Sequence, residues 1–169
     1  TKARFGSIHS TACAQVVTID SDFKMNSPTS SWQDKINSLE GWYFGGKGSG
    51  LEDSLAALVV QGIKTATSSW YESYGVTEDP LPKVGEQSYI LNSHDQAVCV
   101  VEVVRVEIKA FLEVDANFAF LEGEGDRSLA YWRKAHEDFF SAWASEIGLS
   151  WNAHTQHSVC ETFKVLHIF

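Results

Sequence analysis

Lys64, Thr67 and Glu124 are the residues of this 169-residue chain whose side chains best suit catalysis. A lysine ammonium in a cleft stabilises negative charge that develops on a phosphoryl or acyl oxygen, and a desolvated lysine can act as a base. A threonine hydroxyl becomes a nucleophile only when a base lies within hydrogen-bond reach, and Lys64 is the candidate base for Thr67. Glu124 is the candidate general acid or base.

Lys64 and Thr67 can meet in one site only under a condition on the local backbone. Residues two apart share a face of a strand, so these two meet only if the strand begins just after Lys64 or twists sharply there. Gly62 allows such a turn. The alternative interpretation is a solvated surface lysine followed by an ordinary strand threonine.

Glu124 belongs to an acidic stretch, EGEGD, at residues 122–126. Crowded carboxylates either raise the pKa of one member or hold a divalent cation. We therefore predict Glu122 and Asp126 as ligands of a divalent ion, Mg²⁺ or Mn²⁺, and we expect no organic cofactor. The alternative interpretation of the stretch is a solvated acidic turn.

Five further side chains are candidate substrate contacts. Tyr71 and Trp42 could stack on a base, because stacking on an aromatic ring tolerates every base. Arg127 and Arg133 lie near the acidic stretch and could bind phosphate. Ser128 at a helix N-terminus would direct backbone amides at a bound anion. The structural alternatives are core packing for the aromatics, a salt bridge along the helix for Arg133 and a helix cap for Ser128.

The hydrophobic pattern predicts the elements that position these residues. Helices are expected at about 32–39, 51–61, 114–121 and from a cap at 128 to about 147, and strands at 64–71, 84–91, 97–111 and 159–169. The glycine-rich segment 41–50 and the segment 72–83, which contains two prolines, predict loops. The strands are too few for a sandwich and do not alternate with helices as a parallel sheet requires. The order therefore predicts an α+β fold, a small and mostly antiparallel barrel flanked by helices.

Composition narrows the range of partners. The chain has 13 basic and 22 acidic residues, a net charge of −9, which repels a phosphate backbone and argues against a protein that coats duplex DNA. No run of about 18 apolar residues is present, so we expect no membrane partner. The cysteines, Cys13, Cys99 and Cys160, are odd in number and far apart, which fits a reducing, cytoplasmic location.

The first part of the chain differs from the rest. Residues 1–24 are mixed and polar without clear periodicity, and Met25 is the only methionine. We expect an N-terminal extension at 1–24 and one domain at 25–169. The alternative is an N-terminal arm in which residues 14–19 add a strand.

Several motifs resemble one known family. The segment LEDSLAALVVQGIKTATSSWYESY at 51–74 resembles the opening of the ASCH domain, the activating-signal-cointegrator homology family. The resemblance continues through PKVGE at 82–86, FAFLEGEGD at 118–126 and CETFKV at 160–165, and it covers about 42–169. The fit is to the longer bacterial branch. It implies a PUA-like β-barrel with a cleft suited to RNA or a nucleoside.

The resemblance also implies activities and roles. Some bacterial members of similar length resemble a metal-dependent ribonuclease that acts on single strands. A shorter branch removes the acetyl group from N4-acetylcytidine with a Lys, a Thr and a Glu; its Lys-x-x-Thr matches Lys64 and Thr67, and its Glu matches Glu124, with Glu122 as the alternative. The implied function is an RNA- or nucleoside-binding hydrolase, first a ribonuclease and alternatively an N4-acetylcytidine amidohydrolase. The third hypothesis is a non-catalytic RNA-binding module.

Overall fold

The structure is a computed structural model that describes residues 31–169. The predictions for residues 1–24, for a domain start near Met25 and for Cys13 lie outside the described residues. Within the described part of the chain, no helix is long and apolar enough to cross a membrane.

Five strands and five helices make up the described chain. The strands are β1 (Glu40–Trp42), β2 (Ala66–Trp70), β3 (Gln87–Leu91), β4 (Ala97–Ala110) and β5 (His157–Ile168). The helices are α1 (Trp32–Ile36), α2 (Glu52–Val60), α3 (Tyr74–Thr77), α4 (Ala116–Glu122) and α5 (Leu129–Glu146). Short 3₁₀ turns cover Tyr71–Ser73 and Phe111–Glu113. The predicted strands and the three longer helices are present, with ends shifted by a few residues.

The strands form one curled sheet in the order β1-β3-β4-β5-β2. Three of the four pairings are antiparallel and only β1 with β3 is parallel. The long pairing of β4 with β5 has register shifts at Val100/Val101 and Val103/Arg105, and such bulges bend a strand and increase its twist. The sheet therefore curls into a half-barrel, and the predicted α+β, mostly antiparallel architecture is confirmed.

Apolar side chains form two cores. One core packs α4 and α5 against the sheet and includes Trp70, Phe111, Trp132 and Phe140. The other packs α2 against the sheet and includes Trp42, Phe44, Val59, Ile90 and Phe163. Cys99 belongs to the α2 core and Cys160 to the α5 core, and both are free, buried thiols that pack as small apolar residues.

Two local predictions were wrong. The segment 41–50 was predicted as a loop throughout, but it opens with residues of β1, whose partner β3 lies more than forty residues away in sequence. A strand three residues long carries too short a pattern for its pairing to be detected locally. The stretch after β2 was predicted as a loop, but it contains the Tyr71–Ser73 turn and α3.

Gly123 brings the acidic stretch against the turn that precedes β2. The residue ends α4 with φ 74°, and a Cβ there would lie 2.7 Å from the carbonyl oxygen of Ile63. Only glycine permits both this left-handed backbone and this close approach. The amide of Thr65 also donates to the carbonyl of Leu121 at 2.9 Å. These two contacts hold Lys64 beside the residues on either side of Gly123.

Candidate functional site

Lys64 is fully buried, and its ammonium group lies between two carboxylates. Its Nζ donates to Oε2 of Glu122 at 2.9 Å and to Oε1 of Glu124 at 2.7 Å. A third, longer bond goes to the backbone carbonyl of Glu122 at 3.4 Å. The ring of Phe44 lies below the ammonium, with its centroid 5.1 Å from Nζ. All three ammonium hydrogens therefore have acceptors, as a buried cation requires.

Glu122 is the buried centre of this cluster. Its Oε1 accepts from the hydroxyl of Ser68 and from the indole Nε1 of Trp132 at 2.8 Å, and its Oε2 accepts from Lys64. Burial has the largest single effect and raises the pKa of the Glu122 carboxyl, but the ammonium of Lys64 and the other neighbours, including the hydroxyl of Ser68, together outweigh burial and lower the pKa below its ordinary value. Glu122 is thus an ionised group held in place by three side chains.

Glu124 differs from Glu122 because its side chain reaches solvent. It is 20 % exposed, whereas the side chains of Lys64 and Glu122 are each 1 % exposed. One of its oxygens contacts Lys64, and the residue also lines a cavity. Glu124 is therefore the member of the cluster that a ligand can reach.

The lysine is a fixed cation and not a base. Burial alone lowers the pKa of the Lys64 ammonium, but the carboxylates of Glu122 and Glu124 raise it above its ordinary value. With one cation and two carboxylates, the cluster carries one net negative charge. This arrangement does not provide the unprotonated lysine that activation of a threonine would need.

The cavity lies between the glycine-rich loop and α5. Its volume is about 90 Å³, and its wall combines apolar side chains with three polar ones, those of Glu124, Tyr131 and His136. No lysine or arginine is among its lining residues. A wider groove of about 400 Å³ shares Gly45 and Phe139 with the cavity and runs between residues 45–49 and the far half of α5. Together they form a cleft with Glu124 at one end.

His136 is a titratable residue of the cavity wall. Its ring stacks on Trp132 with centroids 4.3 Å apart, and its Nδ1 lies 2.9 Å from the carbonyl oxygen of Trp132. Its Nε2 is 3.5 Å from Oε1 of Glu122, which is beyond a good hydrogen bond. Burial lowers the pKa of His136, and the charge of Glu122 offsets this effect only in part.

Thr67 does not contact this cluster. Side chains alternate along β2, so Thr67 points to the face opposite that of Ser68, and Ser68 is the hydroxyl that bonds to Glu122. The Thr67 hydroxyl is buried and has no hydrogen-bond partner among residues 31–169, so it makes no bond to Lys64. The structure thus brings Lys64 together with Glu124 and Glu122 but not with Thr67.

The aromatic candidates for substrate contacts lie away from the cavity wall. The indole of Trp42 is buried in the α2 core, where its Nε1 donates to the Ser88 hydroxyl at 2.8 Å. Tyr71 lies at the end of β2 and packs edge-on against His157 at 6.1 Å. The core-packing interpretation therefore holds for Trp42.

The polar candidates bind backbone groups in this structure. Arg127 stacks its guanidinium on the ring of Phe120 at 3.6 Å and donates to the carbonyl of that residue. Arg133 donates to the carbonyl of Leu112 at 2.9 Å. Ser128 caps α5 by accepting from the amide of Tyr131 at 3.0 Å. None of these three lines the cavity.

The acidic stretch does not fit a divalent ion as it is arranged. Both oxygens of Glu122 already accept from protein donors, and Oδ1 of Asp126 accepts from the amide of Ser128 at 2.9 Å. Among residues 31–169, no group of three or more His, Cys, Asp or Glu side chains is placed to hold a metal ion. The ion stays a prediction, and no step proposed below passes through it.

Sequence reasoning did not single out Ser68 or His136. Ser68 lies four residues after Lys64, and His136 lies four residues after Trp132 on α5, which places it one helical turn further along the same face. A polar residue on an otherwise apolar helix face was the available signal. This signal identifies a site residue only once its neighbour on α4, Glu122, is known.

Comparison with known proteins agrees with this geometry. The family model described as the ASCH domain matches residues 40–167. The crystal structure of an ASCH domain from Lactobacillus crispatus is similar, with 31 % identity and a TM-score of 0.70, covering 79 % of this chain and 83 % of that one. A crystal structure of a protein from Enterococcus faecalis has 30 % identity and a TM-score of 0.72, covering 81 % and 86 %. Comparison with curated proteins gave no match.

The chain therefore belongs to the ASCH-domain family, which is linked to RNA binding. The resemblance predicted from the motifs is confirmed, and so is the PUA-like architecture that it implied.

Proposed function

We propose that this protein is a hydrolase that binds a neutral nucleoside in the cavity beside Glu124 and cleaves an amide on its base, as in N4-acetylcytidine. One observation carries the proposal: Lys64, the only cation that the described residues 31–169 contribute to the cluster, is buried between two carboxylates, so this part of the site has a net negative charge. The family's link to RNA supports a nucleoside as the ligand class.

Charge favours a neutral ligand over a phosphate at this position. A phosphate oxygen about 4 Å from an unbalanced carboxylate costs about 4 kcal/mol at the effective dielectric of a protein surface. Within the described part of the chain, no lysine or arginine lines the cavity to offset that cost, and Lys47 of the adjoining groove is paired with Asp95 at 2.9 Å. A base with exocyclic N–H groups instead donates hydrogen bonds to a carboxylate.

The proposed reaction is the addition of water to the acyl carbon. Glu124 takes a proton from the water as the oxygen attacks, and the field of Lys64 stabilises the oxyanion that forms. The C–N bond then breaks while the protonated Glu124 returns its proton to the departing nitrogen. The products are acetate and cytidine. Thr67, whose hydroxyl lies on the other face of β2, has no part in this route.

A ribonuclease is the second candidate. The groove of about 400 Å³ extends the cleft beyond one nucleoside, and the EGEGD stretch matches the longer branch of the family. In the ribonuclease reaction, Lys64 stabilises the negative charge that develops at the phosphorus centre, and Glu124 accepts and donates the protons.

An assay with N4-acetylcytidine is expected to show conversion to cytidine that EDTA does not inhibit. The same preparation is incubated with labelled single-stranded RNA, with and without EDTA, and no cleavage is expected. Absence of cytidine at micromolar enzyme would remove the amidohydrolase. Metal-dependent RNA cleavage that vanishes in Glu124→Gln would establish the ribonuclease instead. If both reactions fail while RNA shifts the tryptophan fluorescence, the protein is a binding module.

A further inference from the structure

We infer that Nε2 of His136 accepts a hydrogen bond from an N–H group of the bound base, which makes His136 a specificity-determining residue of the cavity. The inference rests on the proposed function and adds to it the feature of the ligand that is recognised, a donor N–H next to the Glu124 carboxylate. Cytidine, the product of the proposed reaction, carries such a donor on its exocyclic amine.

The tautomer of His136 follows from its fixed neighbours. Its Nδ1 lies 2.9 Å from a backbone carbonyl oxygen, an atom that can only accept, so Nδ1 carries the hydrogen. In a neutral ring, Nε2 is then an acceptor with an open lone pair. Stacking on Trp132 fixes the plane in which that lone pair points.

Glu122 does not compete for this position. Its Oε1, the nearest polar atom to Nε2, already accepts from Ser68 and Trp132, which uses both of its lone pairs. The separation of 3.5 Å is also long for a hydrogen bond. Among residues 31–169, a proton on Nε2 would therefore find no good acceptor, and His136 is one of the residues that line the cavity from which a ligand donor would approach.

The charged groups around His136 come from three other segments. Glu122 ends α4, Glu124 follows it in the acidic stretch, and Lys64 precedes β2; Tyr131 of α5 lines the same cavity. Burial lowers the pKa of His136. Burial thus favours the neutral ring, in which Nε2 keeps its lone pair.

Two measurements with cytidine as the probe test the inference without relying on turnover. Ring ¹⁵N spectra of the intact protein are expected to show His136 neutral with hydrogen on Nδ1 at about pH 7, and its Nε2 signal should move when cytidine is added. His136→Phe keeps an aromatic ring to stack on Trp132 but lacks the acceptor. It should bind cytidine about tenfold more weakly than the wild type does.

His157→Gln is the matched control, because His157 pairs with Glu72 outside the cavity, and it should bind as the wild type does. Bound cytidine that leaves the His136 Nε2 signal unmoved would overturn the inference even if hydrolysis occurs. A moved signal without hydrolysis would support the inference and refute the proposed reaction. Absence of any cytidine binding would overturn both. Should His136→Phe fail to fold, the ¹⁵N spectra of the wild type decide alone.

Discussion

Replacement of Lys64 by methionine is expected to lower the free energy of unfolding by about 3–5 kcal/mol. Methionine fills much of the same space, so the main loss is electrostatic: the Glu122 carboxylate stays buried without its cation. The loss is to be measured by urea unfolding, followed by the fluorescence of the buried Trp70 and Trp132.

Two variants separate this effect from ordinary lysine removal. Lys47→Met breaks an exposed pair with Asp95 and should change stability far less than Lys64→Met does, because solvent screens an exposed ion pair. Lys64→Met combined with Glu122→Gln should lose less stability than the two single changes added together, because the uncompensated charge is gone. Equal losses in Lys64→Met and Lys47→Met would show that the cluster does not hold the fold.

The pH dependence of Lys64→Met is expected to differ from that of the wild type on the alkaline side. The raised pKa of Lys64 contributes stability that is complete below the unfolded value of about 10.4 and is lost as pH rises through the folded value. The lowered pKa of Glu122 contributes stability above the unfolded value of about 4.3, lost as pH falls through the folded value. The loss of stability at alkaline pH that comes from Lys64 should therefore be absent from Lys64→Met.

Glu124→Gln is expected to reduce kcat for N4-acetylcytidine by about 10²–10⁴-fold, because a glutamine cannot take a proton from water. Stability should change little by comparison with Lys64→Met, since Glu124 is partly exposed and the amide oxygen can still accept from Lys64. Turnover and urea unfolding are measured on the same preparation.

Asp126→Asn is the matched control for Glu124→Gln. Asp126 is an exposed carboxylate two residues further along, and it bonds to the amide of Ser128 at the start of α5. It should leave kcat within about twofold of the wild type, since it is not placed in the cavity wall. A similar loss of kcat in both variants would indicate that the acidic stretch acts through its total charge, and the role assigned to Glu124 would be abandoned.

The sequence was sufficient for the elements with long patterns and for one pair of site residues. The apolar stripe of α5 and its Ser128 cap set that helix within a residue of its observed ends. Lys64 and the acidic stretch were expected to lie together, and the geometry places Nζ of Lys64 at 2.7 Å from Glu124. That contact depends on Gly123, which lies so close to Ile63 that no side chain fits between them. The two residues are far apart in sequence, so no local pattern predicts this approach.

The remaining residues of the site depend on packing that no local pattern carries. Thr67 and Ser68 are neighbours in a strand, and only the position of α4 decides which of the two faces meets Glu122. Arg127 and Arg133 looked suited to phosphate, but each bonds to a backbone carbonyl that only the tertiary structure brings near. His136 also belongs to the site because of tertiary packing, since its ring stacks on Trp132.

Cytidine binding to Ala135→Phe tests most directly whether the cavity beside Glu124 is the ligand site. Ala135 is a half-buried residue of the cavity wall on α5, so a phenyl group there should fill a cavity of about 90 Å³ without entering either core. Calorimetric titration is expected to show cytidine binding to the wild type and a loss of at least about tenfold in affinity for Ala135→Phe. Unchanged affinity in a variant that unfolds like the wild type would place the ligand elsewhere and contradict the account.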